Sequence, residues 1–221
     1  DIVDKDFDKK VQRTKHRPLA SGKISVLRSM VYVLLLCITA FLILIQFNLM
    51  TIVLGLGSMF LAFSYPFMKR ITYWPQLFLG LTFNWGIIMA WAAINSDISL
   101  NIILLYVAAI FWTLGYDTIY GAQDMSDDEI IGLKSTSIRF KKNLKKFVFV
   151  SYFITVLLIS ILFKDLIGMN IFTFLLILFF ASLFYQIFKL DRLHPYNYLK
   201  MFKLNNFSGL ILFSAILSIN I

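Results

Sequence analysis

Long apolar runs alternate with short charged stretches along this chain. The runs cover residues 26–47, 49–67, 73–94, 99–120, 147–163, 167–188 and 204–221. A helix needs roughly 20 apolar residues to cross a bilayer core. In lipid each backbone N–H and C=O must bond within its own segment, so the runs predict helices rather than open strands. The expected fold class is all-α: a polytopic transmembrane helical bundle of seven spans, with the polar end of an earlier helix at 1–10. Between the runs lie a basic loop at 10–25, a tight turn at Phe47 and Asn48, and a loop at 68–72. A base-free link at 95–99, a long polar stretch at 121–146, a turn at Lys164 and Asp165, and a last loop at 189–203 complete the pattern. No linker or internal repeat divides it, so residues 1–221 read as a single transmembrane domain. The chain opens on Asp1 rather than Met, and an N-terminal part is expected to be missing.

Composition agrees. Of 221 residues, 59% are apolar and only 15% charged, against about 25% charged in soluble domains. The net charge of +9 would suit a nucleic-acid partner, but the bases sit in short loops between apolar runs. That is the distribution that orients membrane proteins, so the expected partner is the lipid bilayer, with no nucleic acid and no protein partner. Every Lys and Arg except Lys164 falls on one side when the spans are counted through. The rule places loops 10–25, 68–72, 121–146 and 189–203 in the cytoplasm and the C-terminus outside. Cys37 is the one cysteine, which excludes an intrachain disulfide.

The acidic residues carry the candidate chemistry. Asp1, Asp4 and Asp8 are spaced to share one helix face, as are Asp117, Asp124 and Asp128. Asp127 and Glu129 flank the second group. At ~5.5 Å and an effective dielectric of ~20, two carboxylates repel by about 3 kcal/mol. A divalent cation reverses that sign, and oxygen ligands suit Mg²⁺. Arg13 and Arg17 follow the first cluster, and Lys134 and Arg139 the second. Acids beside fixed cations suit a metal–diphosphate, the acids holding Mg²⁺ and the bases the phosphate oxygens. The competing reading is two solvated loops. An even number of spans separates the clusters, so both lie on one membrane face, which favours a site. Lys141, Lys142, Lys145 and Lys146 read as a run that meets anionic lipid. His16 and His194 have no second His or Cys at zinc-ligand spacing. Gly55 and Gly57 read as close-packing positions, and Pro66, Pro75 and Pro195 as helix terminators.

Three stretches carry a resemblance. DIVDKDFDKKVQRTKHRPLASGKIS, Asp1–Ser25, resembles the first aspartate-rich motif of the intramembrane aromatic prenyltransferases, the 4-hydroxybenzoate polyprenyltransferase family. YPFMKRITYWPQLFLG, Tyr65–Gly80, and YDTIYGAQDMSDDEIIGLKSTSIRF, Tyr116–Phe140, resemble two further motifs and point to the 4-hydroxybenzoate branch. The family has nine transmembrane helices around a central cavity, and seven spans fit its C-terminal three-quarters. This chain departs from the pattern in lacking the Asn that opens the first motif before Asp1. It also has Lys141 where the family often has Gly.

The resemblance implies a function and roles. A polyprenyl group would pass from polyprenyl diphosphate to the ring of 4-hydroxybenzoate, ortho to the hydroxyl, in ubiquinone biosynthesis. Asp4, Asp8, Asp124 and Asp128 would hold Mg²⁺, with Asp117 a weaker candidate. Arg13, Arg17 and Lys134 would neutralise the diphosphate, helped by Arg139. Arg70 would bind either the benzoate carboxylate or the diphosphate. Tyr65, Trp85, Trp112, Tyr116 and Tyr120 are candidates to stabilise an allylic cation, against ordinary bundle packing. The expected location is a bacterial inner membrane with the active-site loops cytoplasmic; the alternative is a mitochondrial inner membrane. Two other functions remain in view. One is a sister enzyme acting on homogentisate or a haem precursor. The other is a cation transporter, which would place its charges near the bilayer midplane.

Overall fold

The computed structural model describes residues 1–190 and 195–220. It is all-helical, with no strand among the described residues. Eight helices build the bundle: α1 (Val26–Leu44), α2 (Leu49–Ser64), α3 (Pro75–Phe83), α4 (Trp85–Asn95), α5 (Leu100–Gly121), α6 (Leu144–Leu162), α7 (Ile171–Lys189) and α8 (Pro195–Leu217). Their starts follow local chemistry. Ser25, Asn48, Ser99 and Asn170 each accept a hydrogen bond from the backbone N–H three residues on, which satisfies a donor the helix leaves free. Pro75 opens α3, where its missing N–H costs nothing.

Among the described residues six stretches are long and apolar enough to span a membrane: Val26–Leu44, Leu49–Ile71, Pro75–Asn95, Leu100–Gly121, Lys141–Leu162 and Ile171–Lys189. The protein is a multi-span membrane protein. The seventh expected run differs: α8 begins at Pro195 rather than 204, and takes in Asn197, Lys200, Lys203, Asn205 and Asn206. Much of the expected last loop is thus helix. His194 lies outside the described residues. The run expected at 73–94 is divided between α3 and α4 at Asn84. There the Asn84 side chain donates to Gly80 O, Ala109 O and Thr113 Oγ1.

Helix α5 is the central element. It packs against α3, α4, α6 and α8, while α7 lies on α6 and α8. Lipid tails are as apolar as leucine, so membrane helices associate through close packing and internal hydrogen bonds. Both are present. A Cβ on Gly115 of α5 would fall 2.4 Å from the buried Tyr152 ring of α6, and one on Gly80 would fall 3.1 Å from Ile110. Gly55 meets Leu44 in the same way, but Gly57 faces open space and is not a packing position. Tyr152 donates to Gln186, Asn205 donates to Gln186, and Trp112 donates to Asn205, linking α5, α6, α7 and α8. By contrast α1 has no buried residue. Apart from Leu44, its leucines and isoleucines face outward, as a lipid-facing helix requires.

The loops at 10–25, 68–72 and 121–146 meet at one end of the bundle. Arg13 reaches Asp124, Lys134 N donates to Lys69 O, and Arg70 donates to Val3 O. Phe202 of α8 joins them through ring contacts with Tyr116 and Tyr120. At the other end Asn48 donates to Ala92 O, and Trp91 donates to Asp97.

Candidate functional site

The charged end of the bundle encloses a cavity of about 270 Å³. Helix α5 supplies Asp117 and Tyr120 before it stops at Gly121. Asp124 then starts a short helix, Met125–Ile130, that carries Asp128. The chain bends between them, so the three aspartates do not share one continuous helix as their spacing suggests. All three nevertheless line the cavity. The N-terminal segment supplies another part of the wall. It forms only a single helical turn, Lys5–Asp8, in place of the expected helix end. Asp1, Asp4, Arg13 and Arg17 line the cavity from this side. Asp8 borders a smaller adjoining space of about 40 Å³, shared with Asp4, Asp124 and Asp128.

Ion pairs tie the N-terminal segment to the second acidic cluster and brace the first. Arg13 donates from Nε to both oxygens of Asp124, at 2.9 and 3.1 Å, and from Nη1 to the Tyr120 hydroxyl at 2.8 Å. The fork of the guanidinium matches the carboxylate, and the Asp124 hydrogen bond raises the affinity of Arg13 for its proton. Arg17 binds both Asp8 oxygens and also reaches Asp1 at 3.3 Å. Burial pushes the Asp128 carboxyl up to about 6; Lys69 opposes that shift and Asp124 adds to it. A carboxylate held in that setting gains from a nearby cation.

Not every expected base reaches the cavity wall. Arg70 donates to Val3 O, pairs with Asp4 at 3.5 Å and lies over the Phe7 ring, fastening the N-terminal segment. Lys134 donates to Ile71 O and lies over Tyr73, and Arg139 lies over the same ring. Lys69 lines both spaces instead. Its sequence signal is its spacing from Tyr65, another cavity residue: four positions apart on a helical stretch means one face. Gln76, Ser135 and Gly121 also line the cavity. Among the aromatic candidates Tyr65 and Tyr120 line it. Trp112 and Tyr116 border a separate space of about 300 Å³ deeper in the bundle. Trp85 packs on Tyr106 and donates to Leu54 O.

Among the described residues no three His, Cys, Asp or Glu side chains draw together closely enough to hold a metal alone. Arg13 and Arg17 occupy faces of Asp124 and Asp8. An all-oxygen set spread around one cavity fits Mg²⁺ bound through a few carboxylates plus substrate phosphates, which is how this ion usually binds.

Residues 1–215 match the family described as the UbiA prenyltransferase family. The chain belongs to that family. Its relatives include the 4-hydroxybenzoate polyprenyltransferase, mitochondrial, of Bos taurus, 43% identical over 98% of this chain and 58% of the relative. The human protein of the same name is 50% identical over 66% of this chain and 39% of its own length. The 4-hydroxybenzoate geranyltransferase 1 of Lithospermum erythrorhizon is 40% identical over 98% of this chain and 71% of that one. This family member thus spans less than two thirds of the two animal relatives. An apo UbiA homologue from Aeropyrum pernix K1 superposes with a TM-score of 0.83 at 23% identity, over 100% of this chain and 82% of its own. A UbiA homologue from Archaeoglobus fulgidus bound to GPP and Mg²⁺ gives 0.72 at 19%, over 100% and 81%. At those identities the likeness is one of fold, and this family member shares it.

Proposed function

We propose that the protein transfers a polyprenyl group from polyprenyl diphosphate to 4-hydroxybenzoate, ortho to the hydroxyl, as a Mg²⁺-dependent step of ubiquinone biosynthesis. One observation carries the reading: Asp4, Asp117, Asp124 and Asp128 converge with Arg13, Arg17 and Lys69 on one cavity at the membrane face. The relatives' names favour the acceptor, and the archaeal homologue bound to GPP and Mg²⁺ favours the donor class and the ion. Acids at one end of the bundle, rather than across its middle, favour an enzyme over a transporter. The two animal relatives are named as mitochondrial, which favours the mitochondrial inner membrane over the bacterial one expected from the sequence. Residues 1–221 act as one transmembrane domain in this reading.

Asp4, Asp8, Asp124 and Asp128 would hold the metal, with Asp117 beside them. Bound there, Mg²⁺ supplies positive charge that makes diphosphate a better leaving group. Arg13, Arg17 and Lys69 neutralise the remaining phosphate charge. Lys134, Arg139 and Arg70 act behind them, Arg70 by holding the N-terminal segment in place. The allylic C–O bond breaks with its electron pair leaving on diphosphate. The ring carbon of 4-hydroxybenzoate then bonds to the allylic carbon and loses its proton. Tyr65 and Tyr120 offer ring faces to the cation and displace water that would otherwise hydrolyse it. The polyprenyl tail stays dissolved in the lipid, which accounts for building the site in a membrane.

The test is transfer in membranes that contain the full chain, with labelled 4-hydroxybenzoate and a polyprenyl diphosphate, with and without Mg²⁺. The expected result is a labelled lipid product that requires Mg²⁺ and disappears in Asp124→Ala while the variant still inserts. Normal transfer by that variant would overturn the metal assignment.

A further inference from the structure

Gln76 is the second residue of α3 and is only 4% exposed, yet it borders the charged cavity. Its Oε1 accepts a hydrogen bond from Thr136 N at 2.9 Å. A backbone N–H can only donate, so this bond fixes which end of the amide faces the loop. Nε2 therefore points the other way. It has no hydrogen-bond partner among the described residues. No wholly occluded side-chain nitrogen or oxygen among them lacks a partner, so Nε2 remains open to the cavity. Gly121 keeps that opening: a Cβ there would fall 3.2 Å from Nε2 and 2.8 Å from Ser137 Oγ. The amide thus presents a fixed, neutral, buried donor in a cavity that also carries aspartates, arginines and Lys69.

We propose that Gln76 Nε2 is a substrate-binding donor to an anionic oxygen, either a phosphoryl oxygen of the prenyl diphosphate or the carboxylate of the aromatic acid. The inference rests on the function proposed above. A neutral donor suits this position because it grips an anion without adding to the ion pairs of Arg13 and Arg17, which already bind aspartates. A hydrogen bond to a charged group lost from a buried site weakens binding roughly 10- to 100-fold.

Gln76→Glu isolates the donor. A glutamate keeps an acceptor oxygen for Thr136 N, but replaces the amide N–H by a repelling charge. Gln76→Met, uncharged and of similar length, is the second variant. The full chain is assayed in membranes, and its melting is followed in detergent with geranyl diphosphate plus Mg²⁺ or with 4-hydroxybenzoate. The expected result is a KM raised about tenfold or more for one substrate in both variants, with kcat little changed. The concentration of that ligand needed to stabilise the protein should rise in parallel, measured as the shift from each variant's own ligand-free melting point. A rise for the diphosphate identifies the phosphoryl oxygen; a rise for 4-hydroxybenzoate identifies the carboxylate. Unchanged KM values for both substrates beside normal wild-type transfer would overturn this inference alone. A wild type that neither transfers nor is stabilised by either ligand would overturn it together with the proposed function.

Discussion

Arg13 grips Asp124 from 111 residues away in the chain, with Nε at 2.9 Å from Oδ1 and a second N–H on Oδ2. This pair closes the N-terminal segment onto the end of α5. The same guanidinium also donates to the Tyr120 hydroxyl.

The pair yields the first prediction. Arg13→Lys keeps the charge but loses the fork that binds both carboxylate oxygens. Arg13→Ala also leaves Asp124 uncompensated. Charge-assisted bonds contribute about 1.5–3 kcal/mol, so kcat/KM should fall roughly 10- to 100-fold in Arg13→Ala. Arg13→Lys should fall between it and the wild type. Transfer assays in membranes decide this, and a lysine variant as active as the wild type would mean the fork is not used.

Asp128 gives a pH dependence. Burial places its carboxyl at about 6 in the folded protein, above the ordinary 3.8. A raised acid favours the folded state at low pH, and that contribution is lost as pH rises through about 6. The ligand-free protein should thus melt slightly higher at pH 5 than at pH 7. Mg²⁺-diphosphate binding should run the opposite way, weakening as pH falls through about 6, because the ligand needs the carboxylate. Asp128→Asn should flatten both profiles. A binding profile that stays flat in the wild type between pH 5 and 7 would remove Asp128 from the ligand set.

Lys69 faces the same carboxylate and holds its shift in check. Lys69→Met should therefore move the pH midpoint for Mg²⁺-diphosphate binding upward. It should also raise KM for the prenyl diphosphate roughly 10- to 100-fold, as expected for a lost contact to a charged group. Titrations of binding and rate against pH measure both. An unchanged midpoint would place Lys69 outside the working site.

Gly115→Ala tests the bundle rather than the site. Its Cβ would fall 2.4 Å from the Tyr152 ring, which is buried and tied to Gln186. The ring has little room to move, so overpacking should cost about 1–3 kcal/mol. A lower melting temperature in detergent is expected, with KM unchanged for whatever fraction remains folded.

The apolar runs alone determined an all-helical membrane bundle, because a span of about 20 apolar residues has few other ways to satisfy its backbone in lipid. The order of basic loops likewise brought the two aspartate clusters to one face. Asp4, Asp124, Asp128, Arg13 and Arg17 were legible because charge in a membrane chain is sparse and its spacing conspicuous. The tertiary structure decided what periodicity does not encode. The chain bends between Asp117 and Asp124, because α5 ends at Gly121 and a new helix begins. Of two adjacent bases, Lys69 faces the cavity while Arg70 turns about a quarter of a helical turn away to hold the N-terminal segment. Gln76 lies within the Tyr65–Gly80 stretch but carries no charge, so neither spacing nor charge marks it as a cavity residue. Only its hydrogen bond to Thr136, sixty residues on, fixes the way its amide faces. Which side chains share a chamber depends on contacts between distant segments, and those exist only once the helices have packed.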